Sequence, residues 1–128
     1  MPDFTFEHIH LRSPDPEATA QWYERIFGAT VIRSVVQGAP RVDLNLCGQT
    51  VFIAPINDAK TAAPPSAPYQ GLEHIGLHVN GIDAAVAELK AKGVVFTLEP
   101  KTIRPGLRIA FLRGPENVSI ELLERSPA

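Results

Sequence analysis

The chain contains 128 residues, of which 45% are apolar and 20% charged, so it can bury one core of ordinary size and is not expected to be disordered. Its net charge of −2 and the lack of a basic cluster argue against nucleic acid or an anionic membrane surface as the main partner, which leaves a small molecule. The single cysteine, Cys47, forms no internal disulfide, and the sequence shows no apolar signal or membrane-spanning run. We therefore expect a cytoplasmic protein.

The first predicted strand starts at a histidine and alternates polar with apolar residues. The two-residue period of a strand places His8, His10 and Arg12 on one face, whereas Ile9 and Leu11 occupy the other. The apolar face is suited to packing against a helix. The imidazole-bearing face is therefore available for another use.

A helix is predicted over residues 16–27. Asp15 is a suitable N-cap, Pro16 suits the first helical position, and Gly28 stands where a left-handed residue commonly ends a helix. The residues expected to face the core follow helical spacing: Ala18, Trp22, Ile26 and Phe27.

Three strands are predicted after this helix, because β-branched and alternating segments are separated by turn residues. They cover residues 30–36, 41–46 and 49–54, and Pro55 ends the last of them. The first half therefore has the order β-α-β-β-β.

The second half repeats this order. His74, Gly76 and His78 share one face of its first strand. A helix is predicted over residues 82–92, and Gly93 ends it. The strands that follow are predicted over residues 94–98, 107–112 and 117–123, with a loop over residues 100–106.

The spacing within the two halves is nearly equal. His8 precedes Gly28 by 20 positions and His74 precedes Gly93 by 19, which indicates a duplicated module. We predict a single domain in which residues 1–55 form the first βαβββ module, residues 56–72 a linker and residues 73–128 the second module. The proline-rich linker either crosses the molecule or covers a pocket.

Three motifs resemble those of a known family: His-Ile-x-Leu at the start of each half, Trp22-Tyr23-x-x-x-Phe27-Gly28 at the end of the first helix, and Asn117-Val118-Ser119-Ile120-Glu121-Leu122-Leu123 as the last strand. This family is the vicinal-oxygen-chelate superfamily, whose members include glyoxalase I, methylmalonyl-CoA epimerase, extradiol dioxygenases and antibiotic-resistance proteins. The second half is most similar to methylmalonyl-CoA epimerase and glyoxalase I. The resemblance implies an α+β fold in which two tandem βαβββ modules form a cupped eight-stranded mixed sheet.

The resemblance also implies one divalent metal ion at the centre of this sheet, held by three side chains: His8, His74 and Glu121. Two neutral imidazoles and one carboxylate suit Zn, Ni, Mn, Co or Fe, and they leave coordination positions open for a substrate. An open position is typical of a catalytic metal site rather than a structural one.

The family's fourth ligand should lie on the last strand of the first module, which offers no carboxylate. Internal alignment places Glu121 opposite Ile53 or Ala54, and Gln49 lies a turn too early. Gln49 or a water molecule remains as a fourth ligand. A set of two histidines and one carboxylate is also typical of non-haem iron oxygenases.

Candidate acid and base groups lie beside these ligands. Glu121, His10 and His78 are candidate catalytic residues, and a pocket-lining role is the alternative for the two histidines. Glu7 and Glu73 precede the two ligand histidines, and we expect them to point to the opposite face, into solvent or towards a helix.

Two arginines are candidate substrate-binding residues. Arg12 matches a position where glyoxalase I carries a carboxylate-binding arginine, and Arg108 lies beside the turn Pro105-Gly106. For both, an ordinary surface arginine is the alternative interpretation.

The resemblance implies three functions, in decreasing order of preference. The first is a divalent-metal-dependent isomerase or lyase of the glyoxalase or epimerase type, acting on a small oxygen-rich, carboxylate-bearing substrate through a metal-stabilised enolate. The second is an Fe(II) extradiol-type dioxygenase, and the third is a metal-free antibiotic-binding protein. Because small members of the family usually pair, we also expect a homodimer.

Overall fold

The computed structural model describes residues 1–126, which are divided between two compact units, Met1–Ala62 and a second unit that begins at Ala63. Each unit contains one α-helix and four strands in the order β-α-β-β-β, so the predicted tandem modules are confirmed; the second unit also has a short 3₁₀-helix, Pro115–Asn117, before its last strand. The boundary between the units lies in the segment predicted as a linker, which contains neither helix nor strand.

The first unit contains five elements: β1 Ile9–Ser13, α1 Pro16–Phe27, β2 Thr30–Val36, β3 Ala39–Leu46 and β4 Gln49–Pro55. Its strands form one sheet in the order β1-β4-β3-β2. The β1 and β4 strands pair in parallel and the other neighbours are antiparallel, so the sheet is mixed, as predicted.

The second unit repeats this plan with β5 His74–His78, α2 Ile82–Ala91, β6 Phe96–Arg104, β7 Leu107–Arg113 and β8 Ser119–Arg125. Its order is β5-β8-β7-β6, and β5 pairs with β8 in parallel. The hydrogen-bonded ladders of residues 1–126 therefore form two four-stranded sheets, one in each unit.

The α1 helix has the predicted bounds but not the predicted buried face. Asp15 Oδ1 accepts the N–H of Ala18 at 3.1 Å, and Gly28 ends the helix with a left-handed φ of 69°. The buried helical residues are Thr19, Ala20, Tyr23 and Ile26, so Ile26 is confirmed, whereas exposed Ala18 and half-buried Trp22 and Phe27 are not core residues.

A buried hydroxyl contact explains the position of this face. The Thr19 hydroxyl donates to Ser13 Oγ at 2.7 Å, and Ser13 is only 2% exposed at the end of β1. Once Thr19 is anchored to the sheet, residues three to four positions further on share its side of the helix. A polar contact with a neighbouring strand thus decided which residues of α1 are buried.

The β6 strand is longer than predicted. It continues through Pro100 to Arg104, with register shifts on either side of Lys101, where a loop over residues 100–106 was expected. Proline lacks the backbone N–H that a central strand needs, but an edge strand with bulges tolerates it. β6 is the edge strand of its sheet, so it can contain Pro100. It extends to Arg104, and only the turn at Pro105-Gly106 separates it from β7.

Each sheet buries one face beneath its helix. The buried strand residues that face α1 or α2 are Val42, Leu44, Leu46, Val51, Ile53, Ala110, Leu112, Ile120 and Leu122. Burial of a large aliphatic side chain contributes about 1.5–3 kcal/mol, so these residues specify which face of each strand is turned to the helix. We call the opposite side of each sheet the helix-free face.

No helix among residues 1–126 is both long enough and apolar enough to span a membrane.

Candidate metal centre

Strand register identifies the residue of the first unit that is equivalent to Glu121, the position where a fourth ligand was expected. In the first sheet His10 pairs with Phe52, and in the second sheet Gly76 pairs with Glu121. Since His10 and Gly76 each lie two residues after the opening histidine, Phe52 is the equivalent of Glu121. The expectation of Ile53 or Ala54 was wrong by one or two residues, because a side chain at Ile53 faces α1 and is 3% exposed.

Gln49 lies three residues before Phe52, at the first position of β4. Its side-chain amide donates to the carbonyl oxygen of its neighbour Thr50 at 3.2 Å. The position equivalent to Glu121 on the helix-free face of the first unit is therefore occupied by the aromatic ring of Phe52.

The second unit brings His74 and Glu121 together on its helix-free face. His74 Nε2 lies 3.3 Å from Glu121 Oε1, and the Glu121 side chain is 18% exposed. Gly76 pairs with Glu121 across the two strands, and a Cβ there would lie 3.8 Å from Glu121 Oε1, an ordinary contact distance. Two of the three predicted metal ligands are therefore adjacent.

Glu73 contacts the other nitrogen of His74, contrary to expectation. Its Oε1 lies 2.9 Å from His74 Nδ1. The alternation that predicted an outward direction holds only within a strand, and β5 begins at His74. Glu73 lies just before it and is therefore free to turn its carboxylate back to the imidazole.

These contacts leave His74 between two carboxylates. If Nδ1–H donates to Glu73, the lone pair of Nε2 faces Glu121 Oε1, so two acceptors are 3.3 Å apart. A cation or a proton between them removes the repulsion. Carboxylates that accept from the second nitrogen of a metal-binding histidine are a common feature of metal sites, so this donor set fits a divalent ion.

His8 has a similar neighbour in the first unit. Its Nδ1 lies 3.4 Å from Glu7 Oε1, so Glu7 does not point away as expected. The contact lacks hydrogen-bond geometry, and buried Nδ1 is without a hydrogen-bond partner among residues 1–126. The His8 ring stacks on Phe52 at a centroid distance of 4.0 Å and an interplanar angle of 26°.

The three predicted ligands are divided between the units. His8 belongs to the first unit, and His74 and Glu121 belong to the second. Within residues 1–126 neither unit contains, by itself, a group of three His, Cys, Asp or Glu side chains arranged to hold a metal ion.

Comparison with known proteins identifies the family. The family model described as Glyoxalase/Bleomycin resistance protein/Dioxygenase superfamily matches residues 5–122. The chain belongs to this superfamily. The resemblance inferred from the motifs is thereby confirmed, and the superfamily name covers both enzymes and a resistance protein.

Relatives of this superfamily member cover almost its whole length. It is 30% identical over 129 residues to the uncharacterized protein YwkD of Bacillus subtilis (strain 168), covering 94% of this chain and 97% of YwkD. The solved structure of a glyoxalase family protein from Enterococcus faecalis has a TM-score of 0.71 and 24% identity, covering 94% of this chain and 97% of that one. The fosfomycin resistance protein FosX from Listeria monocytogenes has a TM-score of 0.75 and 20% identity, covering 95% and 91%. These two structures share the fold.

The two candidate acid-base histidines of this superfamily member lie in different environments. His10 is exposed, its ring centroid is 6.4 Å from that of His8, and it lines a cavity in the first unit. His78 stands at the end of β5, where its Nε2 accepts the N–H of Arg125 at 3.5 Å. His10 therefore has the freer imidazole.

Arg12 lies on the same strand face as His10. Its Nη1 donates to the carbonyl oxygen of Pro55 at 3.1 Å. It lines a second cavity of about 500 Å³ with Lys60 and Thr61. Two cationic side chains beside one cavity are compatible with an anionic ligand.

Arg108 lies on the wrong face for the role we predicted. It alternates with buried Ala110 on β7 and therefore points to the helix side of the sheet. There its Nη2 donates to Asp83 Oδ1 at 2.6 Å and its Nη1 to Thr102 Oγ1 at 2.8 Å. Arg108 was expected to bind substrate, and this expectation is corrected, because the side chain instead links α2 to its sheet through Asp83 and Thr102.

Proposed function

We propose that this superfamily member is a divalent-metal-dependent isomerase or lyase of the glyoxalase or epimerase type. Its substrate would be a small oxygen-rich molecule that carries a carboxylate. The proposed ligands are His8, His74 and Glu121. The observation that carries the proposal is the facing pair His74 Nε2 and Glu121 Oε1, with Glu73 behind the imidazole.

The donor chemistry supports a metal rather than a purely structural pair. A carboxylate 2.9 Å from Nδ1 favours the tautomer in which Nδ1–H donates to Glu73 and the Nε2 lone pair is free to bind a cation. When bound, a divalent cation would act as a Lewis acid on a substrate oxygen and make a neighbouring C–H more acidic. Zn, Ni, Mn, Co and Fe all suit two imidazoles and a carboxylate.

The remaining roles belong to the chain's own side chains. His10 and Glu121 are the proposed groups that accept and return a proton, because the exposed imidazole of His10 is unconstrained and Glu121 has a second carboxylate oxygen. His78 is a further candidate on the same strand face as His74. Arg12 would bind the substrate carboxylate through the guanidinium nitrogen that does not donate to Pro55.

Metal titration of chelator-treated protein tests this function. Wild-type protein should bind about one divalent ion per chain, and His8→Ala, His74→Ala or Glu121→Ala should abolish stoichiometric binding. His10→Ala is the matched control and should keep most of it. Failure of the wild type to bind any of the five metals would overturn the proposal and favour a metal-free small-molecule-binding protein.

A dioxygenase is the second candidate, because Phe52 occupies the place of a fourth ligand. Two histidines and one carboxylate form the ligand set of non-haem Fe(II) oxygenases. Oxygen consumption by the Fe(II)-loaded protein with a catechol would select this reaction. Retention of activity with Zn or Mn and no oxygen uptake would select the isomerase or lyase.

We also propose a homodimer, since sheet edges and exposed apolar residues such as Val35 and Val36 need cover in solution. Light scattering at tens of micromolar protein should give twice the chain mass of 13.9 kDa. A monomer mass would contradict this assembly.

A further inference from the structure

A cavity of about 340 Å³ lies on the helix-free face of the first unit. Its wall is mostly apolar and includes Val36, Phe52 and Ala54, while Arg41, Asp43 and His10 supply the polar groups. A mostly apolar pocket with a few polar groups is typical of small-molecule sites.

Arg41 is held in this wall from two sides. Its guanidinium carbon lies 4.4 Å from the centroid of the Phe52 ring, which is a cation–π distance. Its Nε donates to both carboxylate oxygens of Asp43, at 3.2 and 3.0 Å. Both contacts fix the plane of the guanidinium group.

The terminal nitrogens of Arg41 remain without a hydrogen-bond partner among residues 1–126, because both hydrogen bonds of this side chain use Nε. Other candidate anion ligands are differently engaged. Arg108 uses both terminal nitrogens within its own unit, and Arg12 uses one of them. Arg41 is therefore the guanidinium with a complete, oriented pair of donors beside an apolar wall.

Comparison of the two repeats distinguishes Asp43, the acid beside Arg41, from the candidate metal ligand Glu121. In the second sheet Phe111 on β7 pairs with Glu121 on β8, whereas in the first sheet Asp43 on β3 pairs with Phe52 on β4. The acid and the aromatic residue have exchanged strands. Asp43 forms an ion pair with Arg41, so its carboxylate orients the guanidinium group instead of binding a metal ion from solution.

We propose that Arg41 binds the carboxylate of a small monoanionic ligand whose apolar part lies against Phe52. Two parallel N–H groups match the two oxygens of a carboxylate. Asp43 disfavours a dianion such as phosphate through charge repulsion, and the apolar wall favours an organic body. This inference rests on the proposed function only for the carboxylate-bearing class of its ligand. The contact with Arg41 is separate from the one proposed for Arg12, which lines another cavity, and the binding itself needs no metal.

Benzoate titration of EDTA-treated protein, followed by NMR, tests the site. Benzoate should bind the wild type, and neutral benzamide should bind about tenfold or more weakly, as expected for loss of a charged hydrogen-bond pair. Arg41→Gln should weaken benzoate binding by a similar factor. Arg41→Lys, which keeps the charge but lacks the planar fork, should also weaken it.

Arg33→Gln is the matched control, because Arg33 pairs with Glu17 and does not line this cavity, and it should leave benzoate affinity within about twofold of wild type. Unchanged benzoate binding in folded Arg41→Gln and Arg41→Lys, or equal binding of benzamide, would overturn the proposal. Metal titration separates this outcome from failure of the metal centre. If the wild type binds metal but not benzoate, only the proposed role of Arg41 is overturned. If it binds benzoate but no metal, only the proposed metal-dependent function is overturned.

Discussion

His74 and Glu121 face each other across the parallel strands β5 and β8, with Nε2 3.3 Å from Oε1. When Nδ1–H donates to Glu73, the unprotonated Nε2 is a hydrogen-bond acceptor next to a carboxylate oxygen.

Glu73 is predicted to strengthen metal binding without being a ligand. Glu73→Ala should lower the affinity for Zn by about 10–100-fold, because the imidazole loses the group that sets its tautomer and orientation. Glu73→Gln keeps an acceptor for Nδ1–H and should lose less. Competition with a chromogenic chelator measures both, and Glu88→Ala, on the exposed side of α2, is the control. Equal affinity in Glu73→Ala and wild type would show that Glu73 only neutralises surface charge.

The position of Gly76 is predicted to tolerate one added methyl group but not a larger side chain. Gly76→Ala adds a Cβ about 3.8 Å from Glu121 Oε1 and 3.5 Å from Leu123 Cδ2, which are ordinary contact distances, so the metal site should survive. Gly76→Val adds two further methyl groups and should displace Glu121, with loss of metal binding by about tenfold or more. Titration with Zn and thermal unfolding of both variants separate the site effect from instability. Wild-type affinity in Gly76→Val would contradict this.

We predict that the native activity does not need a carboxylate at position 52, where Phe52 is the equivalent of Glu121. Phe52→Glu should tighten divalent metal binding, because it places a carboxylate at the position equivalent to Glu121, without raising turnover of the native substrate. The isosteric control Phe52→Gln should tighten it less.

A rise of several-fold in native activity for Phe52→Glu would identify a decayed four-ligand centre and exclude the three-ligand mechanism. Ile53→Glu provides the contrast, since it buries a charge on the face covered by α1, where Ile53 is 3% exposed. It should unfold the protein without a gain in metal binding.

Tyr23 is predicted to cost stability through its hydroxyl. The side chain is 1% exposed and its hydroxyl oxygen has no hydrogen-bond partner among residues 1–126. Tyr23→Phe should therefore raise the free energy of unfolding by about 1 kcal/mol, measured by urea denaturation at pH 7. Tyr69→Phe is the control. The hydroxyl of Tyr69 donates to the carbonyl oxygen of Glu73, so its removal should not stabilise the protein.

The same residue makes stability depend on alkaline pH. Burial raises the pKa of Tyr23 above its ordinary value near 10, because the phenolate is poorly solvated in the core. The unfolded chain then loses this proton at lower pH than the folded one, so stability should fall as pH rises above about 10. Tyr23→Phe should flatten this part of the profile, and an unchanged slope would assign it to other groups.

Local chemistry in the sequence determined the helices and the repeat. The bounds of α1 follow from Asp15 and Gly28, which act on backbone groups within a few residues of themselves. The two histidine strands and the nearly equal spacings within the modules predicted tandem βαβββ units, because a duplicated order of elements can be recognised without knowledge of packing. His8 and His74 were predicted for the same reason, as residues at equivalent places in a repeat, whereas Glu121 was implied by the resemblance to the superfamily.

Only the tertiary structure decided which side chains meet. Register between β1 and β4 makes Phe52 the counterpart of Glu121, and a slip of one residue would have turned it towards α1. The direction of Arg108 depends on Asp83 in another element, and the stack of Arg41 on Phe52 joins two strands. Each of these contacts is set by pairing between segments distant in the chain, so spacing along the sequence alone does not determine them.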